Sequence, residues 1–173
     1  MSLLRRALLA GLALVCAGPA VAGFEEDYEA RQWQEMVVQL PKAPQSESLL
    51  PFFVSAASDN KFFVDGSTLS VGEDGVVRYA LVVLAPAGGR NVSFEGLRCE
   101  TKEWRIYASG RNDGSWSKSR VNQWTRIQDA AGNRHHAALY LDYFCPGGAI
   151  VRNTAEALDA FKRGGYGGAW MRW

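Results

Sequence analysis

The chain has 173 residues, of which 47% are hydrophobic, 12% aromatic and 21% charged, with a formal net charge of +1. That composition excludes a disordered chain, and 19 basic against 18 acidic residues provide no basic field for nucleic acid or for an anionic membrane. One globular domain is the expectation from length.

The amino terminus reads as an export signal. Arg5 and Arg6 form a positive n-region, no acidic residue precedes Glu25, and Ala7 to Val15 is an apolar run. That run is far shorter than the roughly 20 residues of a membrane-spanning helix. Ala20-Val21-Ala22 presents small residues to a signal peptidase, so cleavage is expected after Ala22, with a mature chain from Gly23 and a periplasmic location. Cys16 follows Leu14-Val15 rather than a small residue, which disfavours lipidation, and Arg5-Arg6 lacks the flanks of a twin-arginine signal. Cleavage removes both arginines, leaving 17 basic against 18 acidic residues. It also removes Cys16, so Cys99 and Cys145 remain and are expected to form a disulfide, as paired cysteines of exported domains do. The competing reading of either is a nucleophilic or metal-binding thiol.

Residues 23–48 read as an acidic lead-in followed by a first strand. In that strand Trp33 to Leu40 alternates, with Met36, Val38 and Leu40 on one side and Pro41 as its stop. Residues 49–163 form the body. Phe52-Phe53-Val54, Lys61 to Val64 and Leu69 to Val71 are short β segments, and Glu73-Asp74-Gly75 is a hairpin turn. Val76 to Leu84 is the strongest strand, with Val77, Tyr79, Leu81 and Val83 on one face and Arg78 on the other. After the turn at Pro86 to Gly89, Val92 and Phe94 share one parity while Leu97 and Cys99 share the other, which suggests a β-bulge with Gly96 as the extra residue. Trp104, Ile106 and Ala108 alternate, Asn112-Asp113-Gly114 is a loop, and Trp124 to Ile127 is a last short strand. A helix capped by Asn133 then runs through His135 to Phe144, with Ala137, Leu141 and Phe144 on one stripe. Asn153 with Glu156 resembles a capping box opening a second helix, in which Ala157, Leu158 and Phe161 face inward, and Gly164 stops it. The pattern predicts an α+β fold: a single antiparallel meander with two C-terminal helices on one face and one disulfide. Residues 164–173 form a glycine-aromatic tail.

Candidate sites are sparse. His135 and His136 are the two histidines, but helix neighbours point about 100° apart, whereas zinc helices space their ligands four residues apart. No metal site, cofactor motif or catalytic residue is therefore assigned. Ser93 lacks a nucleophile-elbow context, and Asp65, Glu95 and Glu100 are scattered along strands. Tyr166, Trp170 and Trp173 in the tail join His135 and His136 as candidate binding residues, since aromatic side chains dominate interface energetics.

Several strings carry a family likeness. They include Phe53-Val54-Ser55-Ala56, Phe62-Phe63-Val64-Asp65, Asp74 to Tyr79, Asn91 to Cys99, Asp113 to Trp116, and Asn133 to Leu139 through Tyr143 to Pro146. Over about Trp33 to Gly147 the chain resembles the cryptic neisserial protein-like family of exported bacterial proteins. The resemblance implies export and supplies no catalytic residues; some members are lipoproteins, a trait from which the Cys16 context departs. The layout, with strands ending at Cys99 and a late helix ending at Cys145, is also similar to surface-adhesin E-like domains, which implies a small module that binds host or envelope proteins. The expected function is a non-enzymatic binding module for a protein, peptide or envelope component. An envelope hydrolase using carboxylates or His135/His136, and a structural or assembly factor of the envelope, are the alternatives. An exposed apolar-aromatic patch favours binding; a deep pocket with titratable groups of perturbed ionisation favours the enzyme.

Overall fold

A computed structural model describes residues 33–130 and 132–167. The export signal, the lead-in to Gln32, and Trp170 and Trp173 lie outside the described residues.

Seven antiparallel strands form one sheet: β1 (Leu49–Phe52), β2 (Lys61–Val71), β3 (Val76–Leu84), β4 (Arg90–Arg98), β5 (Glu103–Gly110), β6 (Trp116–Lys118) and β7 (Thr125–Arg126). The first six follow one another as a meander, and β6 and β7 pair with the two ends of β5. The turns fall where their chemistry requires. Gly75, Gly88 and Gly114 have φ of 73°, 86° and 81°, and each donates a hydrogen bond three residues back to close its turn. The two β segments expected at Lys61 to Val64 and Leu69 to Val71 are one strand with an excursion between Asp65 and Ser70. Asp65 accepts from the Ser67 amide and hydroxyl there, and the Thr68 hydroxyl accepts from the Ala80 amide.

The bulge lies elsewhere than Gly96. β3 and β4 pair without interruption from Val76↔Arg98 to Leu84↔Arg90. Between β4 and β5 the register steps from Glu95↔Ile106 to Phe94↔Ala108, so the extra residue is Tyr107 on β5. The parity change along β4 arises because both faces of the sheet are covered. Leu97 packs with the helices on one side, and Phe94 packs with Ala80 and Tyr107 on the other. Gly96 has a separate reason: a Cβ there would run into the Tyr107 ring, with Cζ at 2.8 Å and Cε2 at 2.9 Å.

Two helices cover the first face, as the sequence predicts, but the first is short. α1 (Arg134–Ala138) widens directly into a π turn over Leu139–Phe144. The wider turn shifts the inward stripe. Phe144, Tyr143 and Leu139 are fully buried, while Leu141, expected inside, is exposed. Asn133 makes no side-chain cap; its carbonyl accepts from the His136 and Ala137 amides instead. α2 (Thr154–Lys162) begins as expected, with Asn153 Oδ1 accepting from the Glu156 amide at 2.9 Å. It ends in a Schellman arrangement, the Gly164 and Gly165 amides donating to the Phe161 and Ala160 carbonyls. The main core joins Phe52, Phe62, Tyr79 and Leu97 of the sheet to Tyr143, Phe144 and Phe161 of the helices. Cys99 and Cys145 are bonded with their Cα atoms 5.5 Å apart, tying the end of β4 to the end of the π turn.

The expected first strand is absent. Trp33 to Gln45 carries no regular secondary structure and pairs with no strand. Part of it nevertheless lies over the second face of the sheet, where Val38 packs on the cluster of Ala80, Phe94 and Tyr107. The segment is a strap bound by side chains, and its alternation does not mark one buried side: Glu35 and Val38, of opposite parity, both turn inward, while Met36 and Leu40 are exposed.

Candidate functional site

Two constellations of polar side chains stand out, one on each face of the sheet.

On the helix side, β4 carries Ser93 and Glu95 inward and α1 brings His136 down onto them. The His136 Nε2 donates to Glu95 Oε2 at 2.9 Å, and the Tyr79 hydroxyl donates to the same oxygen at 3.2 Å. The Ser93 hydroxyl donates to Glu95 Oε1 at 2.6 Å. Trp104 stacks on His136 with ring centroids 3.6 Å apart, and His135 stacks on Phe62 at 5.5 Å. Glu95 and His136 are both almost fully buried. Burial alone would raise the Glu95 pKa, but the His136 charge and hydrogen bond and the Ser93 hydroxyl outweigh it and hold the carboxyl below its usual range. Burial and the Glu95 charge push the Tyr79 phenol well up.

His135, stacked on Phe62, borders open space. It forms part of the wall of a cavity of about 420 Å³, with Ser55, Ser58, Asn60, Asn91 and Arg134. Burial, then the neighbouring His136, lower its pKa to about 4. An imidazole of that basicity is neutral at neutral pH and far from the value near 7 that suits a general base. The Ser93 hydroxyl gives its hydrogen to Glu95 rather than to a histidine. Among the described residues no group of three or more potential ligands converges on a metal position. The arrangement pins α1 to β4 through buried hydrogen bonds to Glu95.

Tyr166 is engaged within the fold. Its hydroxyl donates to Glu156 at 2.9 Å, its amide donates to the Asp142 carbonyl at 2.7 Å, and Arg163 lies over its ring at 5.1 Å. Those partners lie on α2, beyond its end and in the π turn, so it does not extend the histidine group.

The second constellation was not legible beforehand. β3, β4 and β5 direct Arg78, Arg98, Arg105 and Tyr107 onto the strapped face. The Glu35 carboxylate reaches Arg105 at 2.5 Å, the Tyr107 hydroxyl at 2.5 Å and Arg78 at 3.6 Å. Arg78 also pairs with Asp74 at 2.5 Å. Burial would raise the Asp74 pKa, but Arg78 and the donated Met36 amide hold it below the usual carboxylate range. Burial and Glu35 push the Tyr107 phenol up. Trp33 lies under the Arg98 guanidinium at 3.7 Å, meets Trp124 edge-on at 5.9 Å, and donates its indole N–H to the Asp74 carbonyl at 2.7 Å. Further along, the Trp116 indole donates to the Pro41 carbonyl at 2.7 Å. Beside the strap, Glu35, Met36 and Leu40 border an open cavity of about 330 Å³ with Arg105, Lys118 and Asn122. The one sequence cue was Arg78, a cation in the middle of the most apolar strand.

Among the described residues no helix is long and apolar enough to cross a membrane. No curated protein and no solved structure matches the chain. The model of the CNP1-like family matches residues 28–162, so the same stretch holds both constellations, and the chain belongs to the CNP1-like family.

Proposed function

We propose that the protein is an exported, periplasmic binding module, without catalysis of its own, that engages a polypeptide partner at the strapped face of its sheet. Export rests on the basic and apolar amino terminus with its Ala20-Val21-Ala22 cleavage site. The observation that carries the binding role is the construction of that face. A row of arginines and aromatic rings holds a segment through side chains, while apolar residues of that segment and beside it stay open to solvent. Val37 is 93% exposed, Met36 49% and, beside Asn122, Val121 71%. Large exposed apolar side chains next to an arginine-aromatic cluster are the composition of an interface core. The helix side supports no rival of equal strength: its titratable groups are buried against one another, and the one that meets a cavity is a weak base.

The test uses the native host. The mature protein, released with the periplasmic fraction, should have an intact mass that begins at Gly23, and should elute from gel filtration in a complex larger than a monomer. Val121→Asp with Lys118→Glu, both at exposed positions, should return it to monomer size, whereas Leu141→Asp on the helix side should not. Elution of the wild type as a monomer, or loss of the complex with the Leu141 variant alone, would refute the assignment.

A further inference from the structure

We infer that the strap is a built-in ligand occupying a peptide site, and that the partner is a segment of another polypeptide, carrying a carboxylate two residues after an aromatic, that displaces it. The inference rests on the binding reading above and names its partner chemistry.

The strap behaves as a bound peptide. It adds no strand to the sheet; its described anchors are side chains and single polar atoms. Trp33 and Glu35 are two residues apart, the repeat of an extended chain, and drop into adjacent sockets. One socket is Arg98 with Trp124; the other is Arg105, Tyr107 and Arg78. Val37, next in that register, is wholly exposed, and Met36 is half exposed. A segment that leaves its apolar residues in water is a replaceable occupant.

The charges say what can replace it. Arg78 keeps Asp74 and Arg98 keeps Glu100 and Glu103 at 3.8 and 3.9 Å whether or not the strap is seated. Arg105 is different: its side chain is 11% exposed, and among the described residues Glu35 is its carboxylate partner. If a neutral or basic side chain takes the place of Glu35, the guanidinium is covered again without its counter-charge, which is strongly unfavourable. A segment with no carboxylate at this point is therefore rejected, and a segment with an aromatic residue two positions before a carboxylate fits both sockets. Carried in cis, the strap competes at an effective concentration in the millimolar range, so a partner needs a better fit to the sockets or added contacts beyond them to win.

The probe is a fluorescein-labelled synthetic peptide with the sequence of residues 31–44, titrated by anisotropy into the mature chain. The protein is used as wild type, as Glu35→Gln, and as Trp33→Ala with Glu35→Ala. The variants, checked for an intact thermal transition, should bind the peptide at least about 10-fold more tightly than the wild type, because the tethered competitor is weakened. Peptide carrying Glu35→Gln should bind at least about 10-fold less tightly than the unsubstituted peptide, with a steep loss in added salt. Equal binding to wild type and variants, indifference to the peptide carboxylate, or no binding to a folded Glu35→Gln protein would each overturn the inference. So would a strap-exchanged dimer of the wild type, which would make a second copy the occupant. Failure here would leave the Val121 experiment untouched, since that one reads the face and not its ligand.

Discussion

His135 makes the fold sensitive to mild acid. Its folded-state pKa of about 4 lies below the ordinary histidine value of 6.5, with burial against Phe62 as the main cause and His136 as the second. Between these values the unfolded chain binds a proton that the folded chain refuses, so stability falls as pH falls. The contribution is complete above about pH 6.5, and is lost progressively as pH drops toward the folded value near 4. For a shift of this size the loss between pH 8 and pH 5 is about 2 kcal/mol, approaching about 3 kcal/mol at lower pH. Urea denaturation of the mature protein and of His135→Asn at both pH values checks this. The wild type should lose about 2 kcal/mol more than the variant over that interval. Parallel losses in the two proteins would mean that His135 is protonated in the fold, and the picture of a neutral ring in the cavity wall would be wrong.

Three further outcomes follow from the same contacts. Replacing Gly96 with valine drives a side chain into the Tyr107 ring, and should cost about 1–3 kcal/mol while releasing the strap, read as faster proteolysis between residues 33 and 44. Changing both Cys99 and Cys145 to serine reopens a loop of 46 residues; the chain-entropy model puts the loss at about 4 kcal/mol, seen as a lower urea midpoint. Glu95→Gln leaves His136 buried without its carboxylate and should destabilise by about 3 kcal/mol. Because the Glu95 pKa is depressed in the fold, its contribution is present above the usual carboxylate pKa and vanishes as pH falls through the folded value. The difference between variant and wild type should therefore shrink in acid.

Much of the body could be read from local chemistry. β3 is a nearly unbroken apolar run with Arg78 as its one charge, the Asp74-Gly75 turn needs positive φ, and Asn153 caps α2, all features decided within a few residues. The errors share one cause: a local pattern with more than one physical origin. Alternation over Trp33 to Leu40 suits a strand, but the segment is held at separate points, Trp33, Glu35 and Val38, that no one parity joins. The parity change at Phe94 and Leu97 suits a bulge but equally suits a strand buried on both faces. Leu141 falls on an inward stripe if the helix keeps 3.6 residues per turn, and the π turn removes that premise. The sites were less legible because they are assembled over distance. Glu95 and His136 are 41 residues apart, and Glu35 and Arg105 are 70 apart, with no spacing that announces either pair.

The claim that a partner binds at the strapped face is tested most directly by photo-crosslinking in the exporting host. A photoreactive residue replaces Val121, beside Asn122 on the strapped side, or Leu141, exposed on the helix side. The account predicts a covalent adduct from position 121 and none from 141, with the attached peptide mapping to a stretch of another protein that has a carboxylate two residues after an aromatic. Adducts from position 141 alone, or an attached stretch without that carboxylate, would contradict it.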